Sequence, residues 1–314
     1  MHVVSVFNVK GGVGKSTLTV GLAEFLAQKH SVLVIDIDPN AASSRSILGD
    51  GLLSEAVHGG RSVVDLAEKI RRTRRKLASP DDYFVRRQAI EARGTALSEI
   101  AVLAPDYRGH ENLEEQISGR RDGLLFHYFL KPALVDQFDF VLIDVQGNAD
   151  RRHRLVVNGL TMSDFVLIPV EPSQISMATL PRTFDMIQHA QQISHEGRPE
   201  IIGLVGNKTD RRTQQYASNL RPFFQGSDEF ELPPVFDAYL GEHEDMKKAT
   251  DANQEFVSLK ARFGKYYDNV RRVAVELKRR CDDHVRESPH GRERGRYGAQ
   301  LRNFLGSIWQ RSPD

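Results

Sequence analysis

The segment Asn8-Val9-Lys10-Gly11-Gly12-Val13-Gly14-Lys15-Ser16-Thr17 follows an apolar run, residues 2–8, and leads into an amphipathic stretch, residues 16–29. A buried strand, a glycine-rich turn and a helix in that order form the local architecture of a phosphate-binding loop. Gly11, Gly12 and Gly14 let the backbone turn tightly and bring its N–H groups onto phosphate oxygens, where a side chain would collide. Lys15 is placed to reach the β- and γ-phosphates, and the Ser16 hydroxyl to ligate Mg²⁺. The helix that begins near Ser16 adds the positive end of its dipole to the same anion. The strict pattern asks for glycine five residues before Gly14, where Val9 stands. The strand before, the helix after and Gly-Lys-Ser in register carry the assignment without it.

A phosphate loop of this kind needs a parallel sheet behind it, and the rest of the chain supplies one. Short apolar runs recur at residues 32–36, 100–104, 138–144, 165–169 and 201–207. Strands apolar throughout are typical of a parallel sheet covered on both faces. The stretches between them, such as 154–160 and 177–193, are long enough for right-handed crossover helices. The predicted fold is α/β, a doubly wound and mostly parallel sheet over residues 1–250. Residues 50–98 lack a strand signal, are rich in arginine and are interrupted by Ser79-Pro80, so a helical insertion is expected there. A long helix is expected from residue 254 to about 285, within a C-terminal helical segment 251–286. Residues 287–314 then read as a basic linker and a terminal amphipathic helix. In that helix Leu301, Phe304, Leu305, Ile308 and Trp309 fall on one arc at the helical period.

Two further strand ends carry acids. The run ending Asp36-Ile37-Asp38-Pro39-Asn40 places two carboxylates at the carboxyl end of a buried strand, where ligands gather in open parallel sheets. Phe140-Val141-Leu142-Ile143-Asp144 is four apolar residues closed by an aspartate, the Walker B form, whose carboxylate is expected to hold Mg²⁺ through its hydration shell. The single cysteine, Cys281, excludes an intramolecular disulfide and a cysteine-based metal site. With no membrane-length apolar run and no recognisable leader, a cytoplasmic location is expected.

Lys10-Gly11-Gly12-Val13-Gly14-Lys15-Ser16-Thr17 resembles the deviant Walker A motif of the ParA/MinD/Soj family, whose defining feature is the additional lysine, here Lys10. The resemblance covers residues 1 to about 250. It implies an ATPase that forms a homodimer sandwiching ATP, with Lys10 reaching the partner subunit's nucleotide and acting with Lys15 and Asp38 in catalysis. It implies nucleotide contacts from Lys10 through Thr17, including Val13, and a water-positioning role for Asp38. Ser16, Asp36 and Asp144 are then the residues around Mg²⁺, with Asp36 supporting the metal shell. The chain departs from the family pattern in two places. Asn40 stands where glutamine is usual, and Val145-Gln146-Gly147-Asn148 replaces the usual proline-containing switch segment. No strong base is visible, so slow intrinsic turnover is expected.

Asn207-Lys208-Thr209-Asp210 closes the run at 201–207. Taken alone it matches the guanine-reading motif of many GTPases. The resemblance instead implies that Asn207 contacts adenine, with Asp210 nearby, and ATP is the favoured nucleotide. ParA-like members of the family bind DNA without sequence preference and are stimulated by a centromere-binding, ParB-like partner, whereas MinD-like members hold the membrane through a C-terminal amphipathic helix. The net charge is only +1, but the basic residues cluster in 69–93 and 271–314, suggesting an anionic surface as partner. Candidate DNA contacts are Arg151, Arg152, Arg182, Arg211, Arg271, Arg272, Arg279 and Arg280, with Arg154 and Arg212 near them; arginine–phosphate contacts give affinity without reading bases. The expectation is an ATPase that partitions plasmid or chromosome DNA from a nucleoid-associated position. A membrane-bound positioning ATPase, or one that positions another cargo, is the alternative.

Overall fold

In a computed structural model, each apolar run becomes a strand, and one further strand forms at residues 85–88 without such a run. These are β1 (His2–Val6), β2 (Val32–Asp36), β3 (Val85–Gln88), β4 (Glu99–Leu103), β5 (Phe140–Asp144), β6 (Phe165–Val170) and β7 (Glu200–Gly206). The helices are α1 (Lys15–Leu26), α2 (Ala42–His58), α3 (Val63–Thr73), α4 (Tyr107–Gln116), α5 (Lys131–Leu134), α6 (Arg154–Met162), α7 (Gln174–Ser194), α8 (Leu259–Phe263) and α9 (Tyr267–Glu287). The structure describes residues 1–75, 77, 79–90, 99–117, 119–194, 197–209, 212, 214, 216–220, 233–241, 246, 248–250 and 256–287.

The strands form one sheet in the order β3-β4-β2-β5-β1-β6-β7, parallel except for the β3–β4 pair. Alternate side chains of each strand enter opposite cores. Val3, Leu33, Ile35, Val141 and Ile143 pack with residues of α3, α4, α6 and α7, while Val4, Val34, Phe140 and Leu142 pack with residues of α1, α2, α8 and α9. Burial on both faces explains why the strands are apolar throughout rather than alternating. The doubly wound, mostly parallel architecture expected from the sequence is the one observed, with a helical extension after the sheet.

α1 is apolar on nearly all sides because it lies between the sheet and the C-terminal helix. At Gly21 a Cβ would lie 2.6 Å from Val270 Cγ1, so glycine permits α1 and α9 to approach closely. The one charged residue in the second half of α1, Glu24, is fully buried. It is held by Arg87 of β3, by the Ile90 N–H at 3.1 Å and by Arg262 of α8 at 2.6 Å. Arg262 is itself 2% exposed and also donates to the Ala249 carbonyl at 2.9 Å and the Ser46 carbonyl at 3.0 Å. This ion pair therefore ties α1, α2, the sheet edge and the C-terminal segment together.

Two expectations are corrected. Residues 50–98 contain helix in α2 and α3, but they also contain β3, an antiparallel edge strand. Its sequence, Val-Arg-Arg-Gln, has no apolar run, because an edge strand is held by one ladder of hydrogen bonds and by Arg87 reaching Glu24. The long helix expected from residue 254 is two helices. Ser258 caps α8, accepting from the Ala261 N–H at 3.1 Å, and Gly264, at φ 52° and ψ −131°, breaks the chain before α9 begins. Cys281 is buried on α9, and burial pushes its thiol far above the usual range. Among the described residues no helix is long and apolar enough to cross a membrane. The linker and terminal amphipathic helix expected within 287–314 lie outside the described residues from 288 onward.

Candidate functional site

The loop between β1 and α1 is shaped by Gly14, which caps α1 at φ 86° and ψ 29°. This is the left-handed region, where any side chain is strained. A Cβ at Gly14 would also lie 1.9 Å from Asn207 Nδ2. Asn207, 5% exposed at the end of β7, donates that Nδ2 to the Val13 carbonyl at 2.6 Å. Asn8 works from the other side. Its Oδ1 accepts the Lys10 N–H at 2.9 Å and the Thr183 hydroxyl at 3.2 Å, and its Nδ2 donates to the Pro169 carbonyl at 2.9 Å. Two buried amides, after β1 and after β7 on either side of β6, thus fix the loop before any ligand arrives.

Lys15 is 6% exposed and donates Nζ to the Lys10 carbonyl at 3.1 Å. Burial pulls the amine below its ordinary pKa, while Asp144 and Asp38 hold it up. The segment after β5 lies against this loop. The Asn148 N–H donates to the Val9 carbonyl at 2.5 Å, and a Cβ at Gly147 would come within 3.0 Å of Lys15 Nζ and 3.1 Å of Gly11 Cα. Gly147 is therefore the residue type that this close approach requires, and it lies in the segment where the chain departs from the family pattern.

The parallel register sets Asp144 beside Val6 of β1 and Asp36 of β2. Asp144 is fully buried, and no group among the described residues meets hydrogen-bond geometry with either carboxylate oxygen, although the Ser16 and Ser43 hydroxyls lie close enough to act on its charge. Burial, followed by the neighbouring Asp36 charge, pushes it up to about 8, while the Ser16 and Ser43 hydroxyls oppose the shift. An orphaned buried carboxylate beside Ser16 fits a divalent cation that brings oxygen ligands of its own. Among the described residues there is no group of three or more His, Cys, Asp or Glu able to cage a metal by themselves. The fit is therefore to a cation completed by phosphate and water.

Asp36, expected to support the metal shell, is held by three donors. Its oxygens accept from the Asp38 N–H at 3.0 Å, the Ser43 hydroxyl at 2.8 Å and the Ser44 N–H at 2.9 Å. Burial pushes it to about 6 against these donors. Asp36 thus caps the turn into α2 and stands behind Asp144. Asp38 is at the surface of the cleft, and its Oδ1 accepts both the N–H (3.0 Å) and the Nδ2 (2.9 Å) of Asn40. No described residue donates to its second oxygen.

Asp36 and Asp144 are fully buried and do not line the cleft that the other groups share, which is about 640 Å³ and is lined by Gly11, Gly12, Gly14, Lys15, Ser16, Thr17 and Asp38 together with Asn40, Arg45, His153, Lys208 and Thr250. The last five are not among the residues predicted from sequence. Asn40 and Lys208 sit beside Asp38 and Asn207 in the sequence, whereas Arg45, His153 and Thr250 arrive from segments without a motif. Lys10 does not line the cleft. Its Nζ is 2.9 Å from Glu171 Oε2, at the end of β6. Asp210 lies outside the described residues.

The arginines proposed for an anionic surface fall into separate groups. Arg151, Arg152 and Arg182 share a second cleft of about 340 Å³ with Asp150 and Asp185, and Arg152 is paired with Asp150 at 2.7 Å. On α9, Arg271 and Arg279 make loose exposed pairs with Asp268 and Asp283, and Arg272 is exposed. Arg280 is the exception, and its expected DNA role is corrected. It stacks on Phe236 and donates to Glu276 and to the Ile202 and Val235 carbonyls, which leaves the guanidinium holding α9 to β7. Arg211 lies outside the described residues.

The family model for the AAA domain matches residues 1–197. The maintenance of carboxysome distribution protein A of Synechococcus elongatus is 26% identical over 268 residues, 82% of this chain and 93% of that protein. Among solved structures, pNOB8 ParA bound to nonspecific DNA shares the fold with a TM-score of 0.64 at 18% identity, covering 91% of this chain and 99% of that one. The cobyrinic acid a,c-diamide synthase of Mycobacterium smegmatis, with a bound ATP analogue and magnesium, shares it with a TM-score of 0.60 at 20% identity, covering 94% of this chain and 98% of that one.

Proposed function

Since this chain belongs to the AAA domain family, as a ParA/MinD-like P-loop ATPase, we propose that it binds ATP with Mg²⁺ in the cleft at the carboxyl ends of β1, β2 and β5 and hydrolyses it slowly. The observation that carries this reading is one glycine-walled cleft lined by Lys15, Ser16 and the half-satisfied carboxylate of Asp38, with the buried carboxylate of Asp144 next to Lys15 and Ser16. Lys15, released from the Lys10 carbonyl, neutralises charge on the β- and γ-phosphate oxygens. The backbone N–H groups of residues 11–16 surround the phosphates, and Ser16 and Asp144 hold the cation. Bound Mg²⁺ would screen the phosphate charge that builds up during transfer. The second Asp38 oxygen orients the attacking water, with Asn40 fixing the carboxylate. Positioning and positive charge do the work, and slow turnover follows from a site that supplies no more than these.

On this reading residues 1–250 are the ATPase core and 251–286 a helical segment packed on it. The nucleotide-bound chain pairs with a second copy, Lys10 reaching the partner's nucleotide. The dimer binds DNA through exposed arginines, including Arg271 and Arg272 of α9 and Arg151 and Arg182, in a nucleoid-associated, cytoplasmic cycle of partition or cargo positioning, with a ParB-like protein stimulating release. The DNA-bound state of pNOB8 ParA supports the DNA part; the match to a carboxysome-distribution protein over nearly its whole length supports positioning of a protein cargo as the second reading. The membrane alternative rests on residues 300–310, outside the described residues.

The test is phosphate release with ATP or GTP as substrate, for wild type, Lys15→Ala and Asp38→Ala. Activity with ATP that is lost in both variants is expected. GTP preferred over ATP, or full activity in Lys15→Ala, would overturn the assignment. An ATP-dependent DNA mobility shift lost in an Arg271→Ala/Arg272→Ala variant tests the DNA surface.

A further inference from the structure

Lys10, the residue on which the pairing of two copies depends, is held inside its own subunit. Its Nζ lies 2.9 Å from Glu171 Oε2, with the two side chains 21% and 28% exposed. Both ends of the pair are fixed. The Lys10 N–H is bonded to Asn8 Oδ1 at 2.9 Å, and its carbonyl accepts Lys15 Nζ at 3.1 Å. Around Glu171, the Pro169 carbonyl is held by Asn8 at 2.9 Å and the Pro172 carbonyl by Asn219 at 2.8 Å. A pair whose backbones are already ordered loses less entropy on forming than an ordinary surface pair.

Because of the proposed Lys10-mediated pairing, on which this inference rests, we propose that Glu171 is a positioning residue that retains Lys10 in the single subunit and sets the threshold for nucleotide-driven dimerisation. The contacts that hold the pair also link it to the nucleotide. Lys15 donates to the carbonyl of Lys10 in the empty loop, and a triphosphate competes for the same ammonium. Nucleotide entry therefore removes one of the two hydrogen bonds that fix the Lys10 backbone, and weakens the grip of Glu171 on the side chain. The free energy of the Lys10–Glu171 pair is subtracted from the dimer twice, once for each subunit, so a modest contact has a squared effect on association.

The test is the dimer dissociation constant measured by analytical ultracentrifugation with a nonhydrolysable ATP analogue and Mg²⁺. Glu171→Gln keeps the shape of the side chain and removes its charge; it is expected to tighten the dimer about 2- to 30-fold, the square of the effect of one such pair. Glu171→Asp, which keeps the carboxylate, is expected to leave association near the wild-type value, a rescue that a merely structural role for Glu171 would not give. Unchanged association in Glu171→Gln, or an equal shift in Glu171→Asp, overturns the inference while leaving the dimer reading intact. Failure of wild type to pair at any concentration of the analogue overturns both.

Discussion

Replacing Arg262 with methionine tests whether the buried ion pair joins the C-terminal segment to the nucleotide-binding core. The substitution keeps the length of the side chain and removes four donated hydrogen bonds: to Glu24, to the Ala249 carbonyl, and to the carbonyl and hydroxyl of Ser46. Glu24 has no solvent exposure, so it cannot recover its lost partner from water. Breaking a buried pair by removing one member costs about 3–5 kcal/mol. Arg87 remains on Glu24 and moderates that figure, while the Ser46 carbonyl loses its Arg262 donor, a loss of about 1 kcal/mol, and the Ala249 carbonyl keeps only the Ser46 hydroxyl at 3.5 Å. A loss of about 3–5 kcal/mol is therefore expected. Burial lowers the Arg262 guanidinium to about 10, which leaves it charged at neutral pH and the pair intact under assay conditions. The assay is equilibrium unfolding in urea, with the loss seen as a lower midpoint at constant slope. The double variant with Glu24→Gln should lose less than the sum of the two single losses, because the second change removes the stranded charge. Thr250, next to Ala249, lines the cleft, so nucleotide affinity should also weaken several-fold, by about 1 kcal/mol if one contact is displaced. A loss below about 1 kcal/mol, or strict additivity with Glu24→Gln, would refute the argument that this pair is a structural tie.

Gly14→Ala should abolish tight nucleotide binding while the circular dichroism spectrum stays native, because its Cβ meets Asn207 and its backbone remains left-handed; wild-type affinity for a fluorescent ATP analogue would contradict this. Asn40→Ala removes the 2.9 Å contact to Asp38 and is expected to lower kcat about 3- to 10-fold with little change in nucleotide affinity, a split read from steady-state kinetics. In chelator, the raised values of Asp36 (about 6) and Asp144 (about 8) mean that the folded state holds these protons more tightly than the unfolded chain. Their contribution to stability is complete below the ordinary carboxylate range and is lost as pH rises through about 6 and then about 8. The melting temperature of the metal-free protein should accordingly fall between pH 5 and 8.5, and Asp144→Asn should flatten the fall; a flat wild-type profile would count against the buried carboxylate pair.

The sequence by itself determined the elements whose signal is local. The glycines of the phosphate loop, the apolar runs of six strands and the aspartates at two strand ends follow from constraints that act within a few residues: backbone turns that only glycine relieves, and strands buried on both faces. The tertiary structure decided what depends on neighbours distant in the chain. Asn207 was legible as a strand-end residue, but only the packing of β7 against the loop places its amide on Val13. Asp36 and Asp38 look alike in sequence, yet the turn into α2 occupies the first with three donors and leaves the second at the cleft. The edge strand β3 has no apolar pattern, since its stability comes from one partner strand and from a charge pair with α1. The same holds for Lys10, whose motif marks it as a residue that reaches outward. Its position against Glu171 comes from the alignment of β6 beside β1, which no spacing within the loop encodes.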